Sequence, residues 1–216
     1  MDFPAIIPVF PLPNVVLFPG VPLPLHIFEP RYREMIADIK DGDGIIGMTL
    51  LRGDWREQYY SSPDVFDVGC AGRIVSVEEL SDGRYNILLH GIREFEILRE
   101  SRTRSYRLAE VRWRPLPPSD FCLEPALRVR LMQQLHTYVA QHFEPSVRKL
   151  LDDPTLGDQL LVNFFCYALD LEPLEKQGLL QALSLGMRAE RLNEVLDFQL
   201  LLSKSGPPEP SSGRSH

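Results

Sequence analysis

The sequence predicts an α+β fold in which a curled β-sheet comes first and a small bundle of helices follows. Three observations carry this. Between residues 44 and 114, apolar side chains recur mostly every second position. From about residue 124 to 200 they recur at helical spacing. Pro115-Leu-Pro-Pro118 separates the two regimes, and strands followed by helices read as an α+β chain or as two subdomains. The boundaries that follow are a β subdomain over 1–118, a helical subdomain over 119–203 and a low-complexity tail over 204–216. With 216 residues, 44% of them hydrophobic, the chain is long enough to bury a proper core.

The chain is organised around its opening. Pro8, Pro11, Pro13, Pro19, Pro22, Pro24 and Pro30 each remove a backbone donor, so no helix can run from Pro8 to Phe28. Short strands that pair on one side only are expected there, with Val15–Phe18 and Val21–Phe28 flanking a Pro19-Gly20 turn. Pro30 suits the first position of a helix carrying Tyr32, Met35, Ile36 and Ile39, with Gly42 as its stop. Gly44–Arg52 reads as a strand buried on both faces. Another strand restarts near Phe66 and runs to about Val77. Ser81-Asp82-Gly83 then marks a hairpin turn. The return strand runs from Tyr85 through Ile97, and Gly91 within it predicts a bulge or bend of the kind that lets a sheet close into a barrel. Tyr106–Arg114 is a last strand, with Ala109, Val111 and Trp113 on one face.

In the second half, Leu127, Leu131, Leu135 and Tyr138 mark an amphipathic helix beginning near Glu124-Pro125. Leu160–Ala168 marks another, Pro173 opens a third, and Leu192, Val195, Leu196 and Leu200 mark a fourth. Pro145, Pro154 and Gly186 are expected to break them. The stretch from Ser203 onward is expected to be disordered.

Chemistry-bearing motifs are absent from the sequence. There is no G-x-x-x-x-G-K-[ST], G-x-S-x-G, H-E-x-x-H or G-x-G-x-x-G, so an enzymatic reading has no anchor and no cofactor is expected. Cys70, Cys122 and Cys166 form no C-x-x-C pair and are expected to be reduced thiols. His26 and His90 sit in strands, where hydrogen-bonded structural roles are expected. His136 and His142 lack the i, i+4 spacing that favours a shared metal, so none is expected. A formal net charge of -7 disfavours polyanions in general. Met-Asp-Phe-Pro at the start has no basic region or long apolar run, and no stretch is long enough to span a bilayer; the cytoplasm is the expected compartment.

Three surface features are candidates for function. Trp55, Tyr59 and Tyr60 lie in a polar loop; large rigid aromatics supply contact area at low entropy cost, which suits a peptide-contacting surface. Arg93, Arg99, Arg102, Arg104, Arg107, Arg112 and Arg114 interleave with Phe95, Tyr106 and Trp113, a pattern able to bind single-stranded RNA. Arg102, Arg104 and Arg107 are the residues that alternative would use. Glu94, Glu96, Glu100 and Glu110 lie among these arginines and dilute their field. Glu29, Arg31 and Arg33 bracket the first helix's start and are expected to form structural ion pairs.

The run Pro8-Val-Phe-Pro-Leu-Pro-Asn-Val-Val-Leu-Phe-Pro-Gly-Val-Pro-Leu-Pro-Leu-His-Ile-Phe-Glu-Pro-Arg-Tyr-Arg33 closely resembles the opening of the Lon protease N-terminal (substrate-binding) domain, in the form seen in free-standing bacterial proteins. The same domain resembles the amino-terminal half of cereblon. Gly69–Val75, Arg84–Phe95 and the Arg-Ala-x-x-Leu-x-x-x-Leu spacing within Leu183–Leu202 extend the resemblance along the chain. It implies a PUA-like mixed β pseudo-barrel followed by a small α-helical bundle. It also implies a non-enzymatic module that binds proteins or peptides, unfolded or degron-bearing polypeptides among them, and it supplies no catalytic residues to carry over. RNA binding is the alternative function.

Overall fold

A computed structural model describes residues 3–56, 63–101, 103–118 and 121–205. Six strands come first: β1 (Ile6–Leu12), β2 (Pro22–Ile27), β3 (Ile45–Leu50), β4 (Val68–Glu79), β5 (Tyr85–Ser101) and β6 (Arg107–Trp113), with α1 (Pro30–Ile39) between β2 and β3. Five helices follow: α2 (Pro125–His142), α3 (Pro145–Leu151), α4 (Asp158–Ala168), α5 (Pro173–Leu180) and α6 (Leu185–Ser205). The α+β expectation and its order of barrel then bundle hold.

The sheet order β2-β5-β4-β3-β1-β6, with β5 pairing again with β6, closes five strands into a barrel and leaves β2 outside the ring. β5 makes the closure possible by its length. Its first half pairs with β2, its second half with β6, and β4 runs alongside both. Such a strand must bend, and the bends are visible as register shifts. Ala71 pairs with Arg93 but Gly72 with Gly91, so Ile92 is an extra residue; Ile97 and Arg99 pair with Val111 and Glu110, so Leu98 is another. The bend predicted at Gly91 is present. A Cβ built there would meet the Phe18 carbonyl oxygen at 2.1 Å, so only glycine lets the turn before β2 cross β5 this closely. That turn is Pro19-Gly20, where Gly20 has φ +82° and donates to the Gly91 carbonyl at 2.8 Å.

The proline-rich opening departs from expectation in two ways. Val15–Phe18 forms no strand: Val16, Leu17 and Phe18 are core residues, but Pro13 and Pro19 bracket a backbone that joins no ladder. β1 (Ile6–Leu12), by contrast, pairs on both sides. Residues 6–9 align with β6 and residues 9–12 with β3, so every residue except Val9 has a neighbour on one side only. One-sided pairing therefore holds residue by residue rather than strand by strand, which is how a strand containing Pro8 and Pro11 can sit inside a barrel. β2 carries Pro22 and Pro24 and pairs only with β5, as a proline-bearing edge strand should.

The barrel interior is filled by one residue or two from each ring strand: Ile7, Val9, Ile45, Ala71, Phe95, Ala109 and Val111. Phe95 is fully buried, and the neighbouring positions 47 and 69 are glycines because a Cβ at either would approach its ring within 2.8 Å. A second, larger core lies outside the ring. There Ile46, Met48, Leu50 and Cys70 join Tyr32, Met35 and Ile36 of α1 and the apolar faces of the bundle in one continuous cluster. β3 serves both cores and is buried at all six positions, matching its expected two-sided burial.

Of the expected helix breaks, the one at Pro145 is present, between α2 and α3, and the one at Gly186 is displaced. Pro145 opens α3, occupying a first-turn position where no donor is needed. Gly186 lies within the first turn of α6, where unsatisfied N–H groups make glycine cheap, and the break falls earlier, at residues 181–184. Expected elements α1, the 81–83 turn, α2 from Pro125 and α5 from Pro173 form as read. α6 continues through Ser205.

The thiols divide sharply. Burial pushes Cys166 up to about 12 and raises Cys70 well above its ordinary value, whereas Cys122 is exposed. At pH 8 the native protein is expected to react rapidly through Cys122 alone with an aromatic disulfide reagent, and through all three cysteines after denaturation. Rapid reaction of more than one thiol in the native state would contradict this core.

Candidate functional site

The helices meet the barrel where the chain leaves β6, and the junction is held by charge rather than by oil alone. Arg188 of α6 is 3% exposed. It donates to Glu94 of β5 at 2.5 Å, to Asn163 of α4 at 2.6 Å, and to the carbonyls of Leu179 and Leu180 at 3.0 and 3.1 Å. Arg114, just past β6, donates to the other Glu94 oxygen at 2.9 Å, to the Leu180 carbonyl at 3.1 Å and to the Ala182 carbonyl at 3.2 Å. Asn163 passes the connection on to the Pro19 carbonyl at 3.0 Å. Two arginines thus share one carboxylate and cap the carbonyl end of α5, where positive charge is favoured. Removed from water, such charges are tolerable only because nearly every donor is used. Gln177 of α5 adds a bond to the Val68 carbonyl at 2.9 Å.

Above this network lies a cleft between barrel and bundle. Pro19, Pro115, Leu116, Pro117, Leu183, Ser184 and Leu185 line it together with Gln159, and Glu94, Arg114, Asn163 and Arg188 are its most buried charged and polar members, its floor. The apolar rim is open to solvent: Leu116 is 50% exposed and Leu183 81%. The enclosed volume, about 80 Å³, is far below the ~300 Å³ at which small-molecule pockets begin, and it matches one side chain or a chain end. An apolar rim over a rigid polar floor suits a segment of polypeptide laid across it.

The residues singled out from sequence lie elsewhere. Trp55 is half-buried in the loop after β3, with the Arg56 guanidinium 5.3 Å from its ring centre; Tyr59 and Tyr60 fall outside the described residues. None of the described cleft-lining residues comes from that loop. Of the arginines, Arg102 lies outside the described residues. Arg104 faces Asp38 at 3.5 Å, and Arg107 pairs with Glu100 at 2.9 Å and also donates to the Pro63 carbonyl. Arg112 pairs with Glu96 at 2.6 Å and Arg93 bonds the Arg114 carbonyl. The interleaved acids thus pair with three of these arginines, Glu94 with Arg114, Glu96 with Arg112 and Glu100 with Arg107, because β5 and β6 lie side by side. The Glu29–Arg31 ion pair is present at 2.9 Å, and His26 is held by Asn86 and Arg84 as a structural histidine.

Sequence reading missed Arg188 and Asn163. The available signal was position: Arg188 precedes Leu192 and Leu196 by four and eight residues, on the buried stripe of α6. A charge on that stripe requires a buried partner. Among the described residues no group of three His, Cys, Asp or Glu side chains could hold a metal ion, and no helix is long and apolar enough to cross a membrane.

Comparison with known proteins matches residues 6–197 to the ATP-dependent protease La (LON) substrate-binding domain. Lon protease of Flavobacterium johnsoniae is 27% identical over 202 residues, covering 92% of this chain and 25% of that protein. Lon protease of Cytophaga hutchinsonii is 31% identical over 110 residues, covering 51% of this chain and 13% of that protein. The chain therefore spans no more than about a quarter of these relatives' length. Among solved structures, a Lon N-terminal domain protein from Xanthomonas campestris superposes with a TM-score of 0.64 at 26% identity, covering 87% of this chain and 96% of that one. The N-terminal domain of the Mycobacterium avium complex Lon protease superposes with a TM-score of 0.69 at 17% identity, covering 89% and 98%, and shares the fold.

Proposed function

We infer the function from one premise: this chain belongs to the LON substrate-binding domain family. The match is to the substrate-binding domain alone, and the sequence carries no motif for nucleotide hydrolysis or proteolysis. The reading it supports is a non-enzymatic module that binds polypeptides, unfolded or degron-bearing ones among them, and presents them to a protease or chaperone. The observation that carries it is the cleft whose exposed Leu116 and Leu183 stand over a buried, fixed floor. Exposed apolar side chains on a rigid support bind extended apolar segments without first paying to order themselves. The loop bearing Trp55 is a second contact surface in this proposal. Three unpaired cysteines support a reducing, cytoplasmic setting.

The test is a panel of chemically unfolded model proteins and apolar peptides, scored by shift of unfolding temperature and by fluorescence anisotropy. Binding is expected, and Leu183→Asp is expected to weaken it by about tenfold or more while leaving unfolding unchanged, because that side chain is 81% exposed. An absence of binding across the panel would reject the reading.

A further inference from the structure

The floor of the cleft carries unbalanced charge. Arg114 and Arg188 share the single carboxylate of Glu94, and their other hydrogen bonds go to uncharged carbonyls and to Asn163. Carbonyls satisfy N–H groups but carry no full charge, so one positive charge remains largely withdrawn from water. Arg114 is 16% and Arg188 3% exposed at the side chain. The Nε–H of Arg114 has no acceptor among the described residues, and Gln159 and Ser184 add neutral polar groups at the same cleft.

We propose that the cleft selects polypeptides presenting a carboxylate beside a leucine-like side chain, the carboxylate lying over Arg114 and Arg188 and the apolar group against Leu116 and Leu183. The proposal rests on the polypeptide-binding reading above and names its ligand class. A carboxylate restores charge balance in a partly desolvated site, where charge-assisted bonds are stronger than neutral ones. The volume, about 80 Å³, admits one such group and little more. Pro19, Pro115 and Pro117 offer no backbone donors for an extended partner strand, so recognition falls to the guanidinium edge and the apolar rim. The carboxylate could come from an acidic side chain or from a chain terminus; the chemistry is shared.

Fluorescein-labelled decapeptides separate the sources. One pair ends in Leu-Leu as free acid or as amide; a second pair is amidated and carries an internal Glu-Leu or Gln-Leu. The carboxylate member of at least one pair is expected to bind about tenfold more tightly than its neutral partner, and to lose that advantage as salt rises. Gln159→Glu, which adds a carboxylate to the cleft without touching the Arg–Glu–Arg bonds, is expected to erase the difference within each pair. Equal binding within both pairs overturns the carboxylate proposal and leaves polypeptide binding standing. Failure of all four peptides, together with failure of the unfolded-protein panel, overturns both. Unfolding curves for Gln159→Glu verify that its fold is intact.

Discussion

Glu94→Ala is expected to destabilise the protein by about 3–5 kcal/mol, the cost of leaving a buried charge without its partner. Arg188, 3% exposed, would keep its bonds to Asn163 and to the α5 carbonyls but lose the carboxylate that, among the described residues, pairs with it and with Arg114. The loss is larger than for a surface ion pair because the three side chains are largely withdrawn from water, which therefore compensates little. Urea unfolding of the wild-type and variant chains measures it. Glu94→Gln separates charge from shape: it preserves an acceptor and should still cost a substantial part of the total, since an amide cannot neutralise two guanidinium groups. Glu94→Ala combined with Arg188→Met should recover part of the loss, as replacement of a whole buried ion pair is often tolerated. A destabilisation below about 1 kcal/mol for Glu94→Ala would mean the junction is solvated and the floor is not the rigid platform described.

Gly91→Ala is expected to cost at least about 3 kcal/mol, at or beyond the upper end of ordinary overpacking. The new methyl would lie 2.1 Å from the Phe18 carbonyl oxygen and 3.3 Å from the Pro19 Cα, and both are backbone, so no side chain can rotate away. Relief requires moving either the Pro19-Gly20 turn or the bend of β5. Each breaks the paired bonds Gly20 N–H to Gly91 and Gly91 N–H to Val21, at 2.8 and 2.9 Å. Gly178→Ala provides the contrast. It lies in α5 with nothing within 4 Å of the added Cβ, and alanine is the better helix former, so a gain of about 0.5–1 kcal/mol is expected. Thermal and urea unfolding of both variants tests the pair; similar effects of the same sign would refute the close-approach account.

Legibility in the sequence followed the range of the forces involved. α1, the 81–83 turn and the two-sided β3 were readable because proline, glycine and apolar spacing act locally. The bend at Gly91 was readable for the same reason, although its cause, the Phe18 carbonyl, lies more than seventy positions away. α3 was missed because Pro145 looks the same whether it stops a helix or starts one. Val15–Phe18 was misread because apolar composition reports burial, and its backbone was excluded from pairing by flanking prolines. The cleft floor is the clearest case. Glu94, read as a diluent among arginines, is the partner of one of them, Arg114, and Arg188 joins it from the other end of the chain. No local pattern encodes a contact between residues 94 positions apart. Trp55 was found by residue type, which identifies candidates for contact but not where a surface assembles.

The partition of β1 between two neighbours has a consequence for biosynthesis. Its first half has no partner until β6 exists, roughly a hundred residues later, when Ile6 meets Glu110 and the Trp113 indole reaches the Pro4 carbonyl at 2.9 Å. While the nascent chain is short, that half-strand emerges from the ribosome with an open flank, and pairings of such long range are the slow ones. Its proline then acts as a guard: a half-strand missing the donor at position 8 is a poor template for a stray strand, so the interval before the ring shuts is spent with little risk of sticking to a neighbour.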